Sequence, residues 1–164
     1  MGYQLIDTIE VGSGGATHLE FTSIPQDGVD LQVVLSGRST DGSNYFGLQF
    51  NSDTGSNYNY IIFSGTGTAA LSATITSGSF LRIYSGDSDY TANTFGNSSA
   101  YIPNYTSNSA KSYSTDAVNE NNSTAGIQNL GAGSWTGTSA ITSLKIYGAI
   151  AQYSTASLYK ITAD

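Results

Sequence analysis

His18 is the only histidine in the chain, so a general base titrating near neutral pH would have to be this residue. The alternation from Ala16 to Ile24 sets it beside Glu20 on the polar face of an early strand, with Leu19 and Phe21 on the other face. Serines abound, and a Ser-His-acid relay is conceivable. No G-x-S-x-G elbow presents one of them, however, and abundance alone makes proximity easy. His18 therefore reads as a solvated or interface side chain. Twelve Asp and Glu residues could supply the carboxylate pair of a glycoside hydrolase. Asp53, Asp87, Asp89, Asp116 and Glu120 instead fall in separate polar stretches, where each reads as a turn former. No catalytic residue is expected.

Two binding chemistries remain. Asn51-Ser52-Asp53-Thr54-Gly55-Ser56-Asn57 offers oxygen atoms at alternate positions around a glycine, the pattern by which a flexible loop wraps calcium, with Asn51, Asp53 and Asn57 as ligands. No bidentate Glu follows, the flanks read as strands, and Asx-turn chemistry accounts for the same residues. No metal or cofactor is expected. Tyr58, Tyr60 and Trp135 could present flat ring faces, either for sugar stacking or as a subunit interface. The Asn-x-Ser/Thr triplets at Asn97, Asn104, Asn121 and Asn122 arise by chance in so Asn- and Ser-rich a chain.

The elements that must position these residues are strands. Tyr3 to Val11 alternates, with a break at Ile6-Asp7 that predicts a bulge, and Gly12 to Gly15 is a turn. Leu31, Val33 and Leu35 mark a third strand, and Phe46, Leu48 and Phe50 the inner face of a fourth. Tyr58 to Phe63 is apolar on both faces, which fits a strand covered on both sides or an aromatic wall at an interface. Ser64 to Gly78 reads as a long loop with at most one weak strand. Further strands are expected over Phe80–Tyr84, Thr94–Ile102, Lys111–Val118, Gln128–Trp135, Ser143–Ile150 and Thr155–Ile161, with Asn119–Ala125 as a turn-rich loop. No segment keeps a helical period.

About ten short strands in one domain over residues 1–164 predict an all-β antiparallel sandwich with a jelly-roll path. With 10% charged residues, few are available to guard sheet edges, so edges used by neighbouring subunits are expected. The formal net charge of −7 would repel a phosphate backbone, which argues against nucleic-acid binding. No cysteine is present to form a disulfide or a thiolate site. MGYQLIDTIEV shows neither a basic n-region nor a long apolar run, so neither a secretory signal nor a membrane span is expected.

Five blocks, in this order and spacing, extend from Leu5 to Ile161: LIDTIEVGSGGATHLEFTSIPQ, LQFNSDTGSNY, YIPNYTSNSAKS, GSWTGTSAITSLKI and QYSTASLYKI. Together they resemble a group of small β-rich virion structural proteins of tailed bacteriophages, common among environmental phages. The resemblance implies a structural role on the particle and brings no catalytic residues. Because the strand pattern starts by Tyr3, with no shaft or attachment segment before it, the role expected is capsid decoration. Such a protein is assembled in the host cytoplasm and sits on the outer surface of the virion. It binds the major capsid protein or other virion proteins as a homo-oligomer, a trimer at capsid symmetry positions. The alternative is a tail- or fibre-associated module that binds a receptor glycan.

Overall fold

The structure, a computed structural model, describes residues 2–120 and 126–163. Its elements are β1 (Gly2–Glu10), β2 (Ala16–Phe21), β3 (Asp30–Gly37), β4 (Tyr45–Phe50), β5 (Tyr58–Gly65) and β6 (Ala70–Gly78), followed by β7 (Leu81–Tyr84), β8 (Gly96–Ile102), β9 (Lys111–Glu120), β10 (Gly126–Trp135), β11 (Leu144–Ile150) and β12 (Thr155–Thr162). They form two antiparallel sheets, an eight-stranded one in the order β1-β12-β3-β8-β9-β10-β5-β6 and a four-stranded one in the order β2-β11-β4-β7.

The order becomes simple once the hairpins β5–β6 and β9–β10 are set aside. The remaining eight strands pair as nested partners, β1 with β12, β2 with β11, β3 with β8 and β4 with β7. One long hairpin has been rolled so that alternate pairs fall in opposite sheets, which is the jelly-roll path. The two hairpins set aside then extend the larger sheet beyond β8, joined side by side through the pairing of β10 with β5.

Alternation dictates the core. Leu31, Val33 and Leu35 of β3 and Ala156 and Leu158 of β12 face inward from one sheet. Phe46, Leu48 and Phe50 of β4 and Leu144 and Ile146 of β11 face inward from the other. Each fully buried Leu, Ile or Phe contributes about 1.5–3 kcal/mol. Gln32, Val34 and Ser36 alternate outward, as the two-residue period of a one-sided sheet requires.

The bulge expected at Ile6-Asp7 is present, since the β1–β12 register shifts between Leu5 and Asp7. Twelve strands stand against the about ten expected, and the one weak strand allowed within Ser64–Gly78 is the nine-residue edge strand β6. Most of β6 is exposed, so it needs none of the apolar alternation by which a strand is recognised. Asn119 and Glu120 continue β9; the rest of that expected loop, and the triplets at Asn121 and Asn122, lie outside the described residues.

Candidate functional site

The loop from Asn51 to Asn57 joins β4 to β5, and its three candidate ligands serve two separate networks. Asn51, with φ of 52°, turns its side chain onto the 139–143 segment. Its Oδ1 accepts from the Thr142 and Ser143 amides at 2.8 and 3.1 Å, and its Nδ2 donates to the Ala140 carbonyl at 2.8 Å. Asp53 faces the other way. Its Oδ1 accepts from the Gly55 amide at 2.8 Å, and its Oδ2 accepts from Asn57 Nδ2 at 2.9 Å and from Trp135 Nε1 at 2.7 Å. Asn57 therefore turns its donor end, not its oxygen, toward the carboxylate. Burial works to raise the Asp53 pKa, but the donors on Trp135, Asn57 and Gly55 together outweigh it and hold the carboxyl below its ordinary value. Asn51, Asp53 and Asn57 thus do not converge on a common point; the loop is a clamp closed by its own hydrogen bonds.

What the clamp holds is Trp135. This residue is 3% exposed and Tyr58 is fully buried, while Tyr60 also points inward. As a sugar platform or open interface, this trio is corrected by strand geometry: Tyr58, Tyr60 and Ile62 take the inward positions of β5, which leaves Ile61 and Phe63 outward. Tyr58 Oη donates to the Asp53 carbonyl at 3.0 Å and accepts from the Phe50 amide at 3.1 Å, and the Trp135 indole packs edge-on against Phe50. Lys111 closes the far side. Its ammonium is buried, donates to the carbonyls of Ser107, Ser109 and Ser139, and lies 5.9 Å from the Trp135 ring centre. Burial pulls its pKa below the ordinary lysine value. Sequence reasoning missed the Asp53–Trp135 contact because it joins residues 82 apart in the chain, and the Lys111 contacts because Lys111 reads as an exposed charge yet sits opposite Trp135 in the β9–β10 ladder.

His18 lies on the outer face of the four-stranded sheet, paired in register with Tyr147. Its Nδ1 is 3.3 Å from Thr17 Oγ1, and Glu20 is joined to Lys145 at 3.5 Å. A surface depression of about 570 Å³ beside His18 is lined by Gly14, Gly15, Thr40, Ala149 and Ile150, with no carboxylate in its lining. Nothing there orients the imidazole as a relay requires. Among the described residues, no three His, Asp or Glu side chains gather as a metal site. Asp53 and Asp87 do cap turns, through the Gly55 and Asp89 amides. Asp116 and Glu120 instead lie within β9, a correction to their reading as turn residues.

The outward surface of the extension is different in kind. Phe63 on β5 and Leu130 on β10 are paired directly in register and are 55% and 47% exposed, with Ile61 and Ala132 forming the next pair. No charged residue occurs from Thr54 to Leu81 or from Gly126 to Leu144, the stretches that supply β5, β6 and β10. Acidic side chains elsewhere, such as Asp7, Glu10 and Glu20, carry the net charge. This surface can bind by burial and backbone pairing, and the nearest charge on it is Asp116 of β9, opposite Leu130 in register.

No family model matches the chain, and no curated protein matches it. Among solved structures, the crystal structure of a protein of unknown function from Shewanella oneidensis MR-1 aligns over 99% of this chain and 77% of its own, at 11% identity and a TM-score of 0.23. A likeness that low supports no inference about fold or function, and the assignment as an all-β, two-sheet protein rests on the strand pairings themselves.

Proposed function

We propose that the chain is a non-enzymatic structural module that docks on a multi-copy particle, as a decoration protein bound to the outer surface of a tailed-phage head and stabilising it. The observation that supports this reading is the segregation of charge and apolar surface. A chain of net charge −7 leaves one end of its larger sheet without charge and sets Ile61, Phe63 and Leu130 together on the outside of that end. Apolar surface gathered in one place on a charged protein marks a contact made in the assembled state. The five-block resemblance supplies the particle, and the major capsid protein is the partner.

The test is to add purified protein to heads lacking it, then measure retention on the particle and the temperature at which heads lose their contents. Retention and a higher disruption temperature are expected, with both effects lost in the double variant Phe63→Ser/Leu130→Ser. Cryo-microscopy that finds no such density on any particle overturns the reading.

A second reading, glycan binding in a tail- or fibre-associated module, has its own supporting observation, away from the buried Trp135. On the outer face of the larger sheet a concavity of about 360 Å³ is lined by Gln32, Ser99, Tyr101, Ser114 and Asp116. Tyr101 Oη donates to Asp30 Oδ2 at 2.6 Å, which fixes a partly exposed ring among amide, hydroxyl and carboxylate groups suited to a sugar. Binding on a glycan panel that disappears in Tyr101→Ala favours this reading, and a blank panel removes it.

A further inference from the structure

The two edges of the eight-stranded sheet are built differently. β1 is guarded by Asp7, Glu10 and a bulge, each of which discourages another strand from pairing there. The opposite edge, β6, reads ALSATITSG, with nine residues, no charge and no proline. Its ladder to β5 is regular from Ala70 to Ile75 and shifts only at the far end, next to Ser77 with φ of 56°. Along the regular part, alternate backbone N–H and C=O groups point away from β5. Among the described residues, no strand pairs with that side.

We propose that β6 is a homotypic pairing edge, through which two copies of this chain join their eight-stranded sheets across a two-fold axis. The occupant follows from charge and register. Two copies each carrying −7 repel one another wherever acidic surface faces acidic surface, and the uncharged stretch from Thr54 to Leu81 is where their sheets can meet without that opposition. A two-fold axis at Ala73 sets β6 antiparallel to itself over its regular part. Leu71 of one copy then lies opposite Ile75 of the other, Ser72 opposite Thr74, and Ala73 opposite itself. Leu71, 59% exposed in the single chain, gains an apolar cross-strand neighbour on the same face as the half-buried Ile75. Alternative registers that include Ser77 and Gly78 meet the irregular end of the strand and lose ladder hydrogen bonds. The contact is isologous, so the product is a closed pair, and the free edge disappears within it. The inference is independent of the particle reading: it concerns the edge of the extension, whereas docking uses the outer face, and it specifies pairs where the resemblance implies trimers.

The test is sedimentation equilibrium of the full chain from micromolar to millimolar concentration at low and high salt. It is run on the parent protein, on Ala73→Asp, on Ala73→Lys, and on an equimolar mixture of the two variants. Ala73 is exposed, so both variants keep the far-ultraviolet circular dichroism of the parent. Self-association of the parent is expected to strengthen with salt, as repulsion between acidic copies is screened. Each variant alone is expected to weaken self-association by at least about tenfold, because like charges meet at the axis, and the mixture is expected to regain it as a heterodimer. A parent that stays monomeric at every concentration and salt overturns the proposal. So does an oligomer that both variants leave unchanged, or a mixture that fails to recover association.

Discussion

The eight rolled strands and the four-strand extension stabilise themselves by different means. Between the rolled strands the interior is mostly Leu, Ile, Val and Phe, as at Leu31, Val33, Leu48 and Ile146, held by non-directional burial. The inner face of the extension carries Tyr58, Tyr60, Tyr113, Trp135, Lys111, Asn119 and Asn129, many of which need a partner at a set angle. Several have one: Trp135 has Asp53, Tyr113 has the Arg82 carbonyl, and Asn129 Oδ1 accepts from Ser64 at 2.6 Å. Others do not, since both amide atoms of Asn119 and Nδ2 of Asn129 are buried without a hydrogen bond in the protein. Non-directional burial dominates between the rolled strands, while directional bonds add to burial in fixing the shape of the extension.

The comparison breaks most easily at its foundation. Leu48→Ala empties a fully buried position of β4 and is expected to cost about 2–5 kcal/mol, read as a lower denaturant midpoint by circular dichroism and by Trp135 fluorescence together. Two separated transitions would mean that the extension folds on its own. Trp135→Phe keeps an aromatic ring and removes the donor to Asp53 Oδ2; a loss of about 1–2 kcal/mol is expected. Asn57→Ala, which removes the other donor to that oxygen, should cost less in the parent than in this variant.

Alkaline pH should weaken both regions without mutation. Burial raises the phenol pKa of Tyr58, Tyr60 and Tyr113, while the hydrogen bond to Asp30, chiefly, pushes Tyr101 up to about 12. Below pH 10 these phenols keep their protons in both the folded and the unfolded chain. Above it the unfolded chain releases them first, so the stability they contribute falls as pH rises from 10 through 12 and beyond. The far-ultraviolet circular dichroism signal is expected to fall across that range in a pH titration, and a signal that holds throughout it would count against this linkage. The smallest effect belongs to the outer face. Phe63→Ser is expected to move stability by less than about 0.5 kcal/mol, measured by the same denaturant titration, because its ring already meets water.

Much of the rolled portion was legible in the residues. Leu31, Val33 and Leu35 alternate because one side of β3 is buried and the other is wet, and Asp7 after Ile6 spoils the period where the bulge occurs. The extension was harder to read for physical reasons. β6 buries neither face fully, so its Ser, Thr and Ala resemble loop composition. In β5, apolar residues on both sides conceal which ones turn inward, and Tyr58 and Tyr60 were offered as surface while Ile61 and Phe63 hold it. The Asn51–Asn57 loop spells both a cation cradle and an Asx clamp, and only the position of Trp135, brought by a strand 82 residues after Asp53, distinguishes them. The absence of charge from Thr54 to Leu81 was visible throughout, and it marks the stretch that forms β5 and the free edge β6.

The pairing of β1 with β12, with Gly2 opposite Thr162, also governs how the molecule is made. On the ribosome, β1 emerges well before β12, so it waits for the ten intervening strands to be translated before its mate exists. Ring-closing contacts of that span make for slow maturation. Through that delay the uncharged stretch from Thr54 to Leu81 is in water and open to chance encounters, so the yield of correctly rolled product should fall as the concentration of unfinished chains rises.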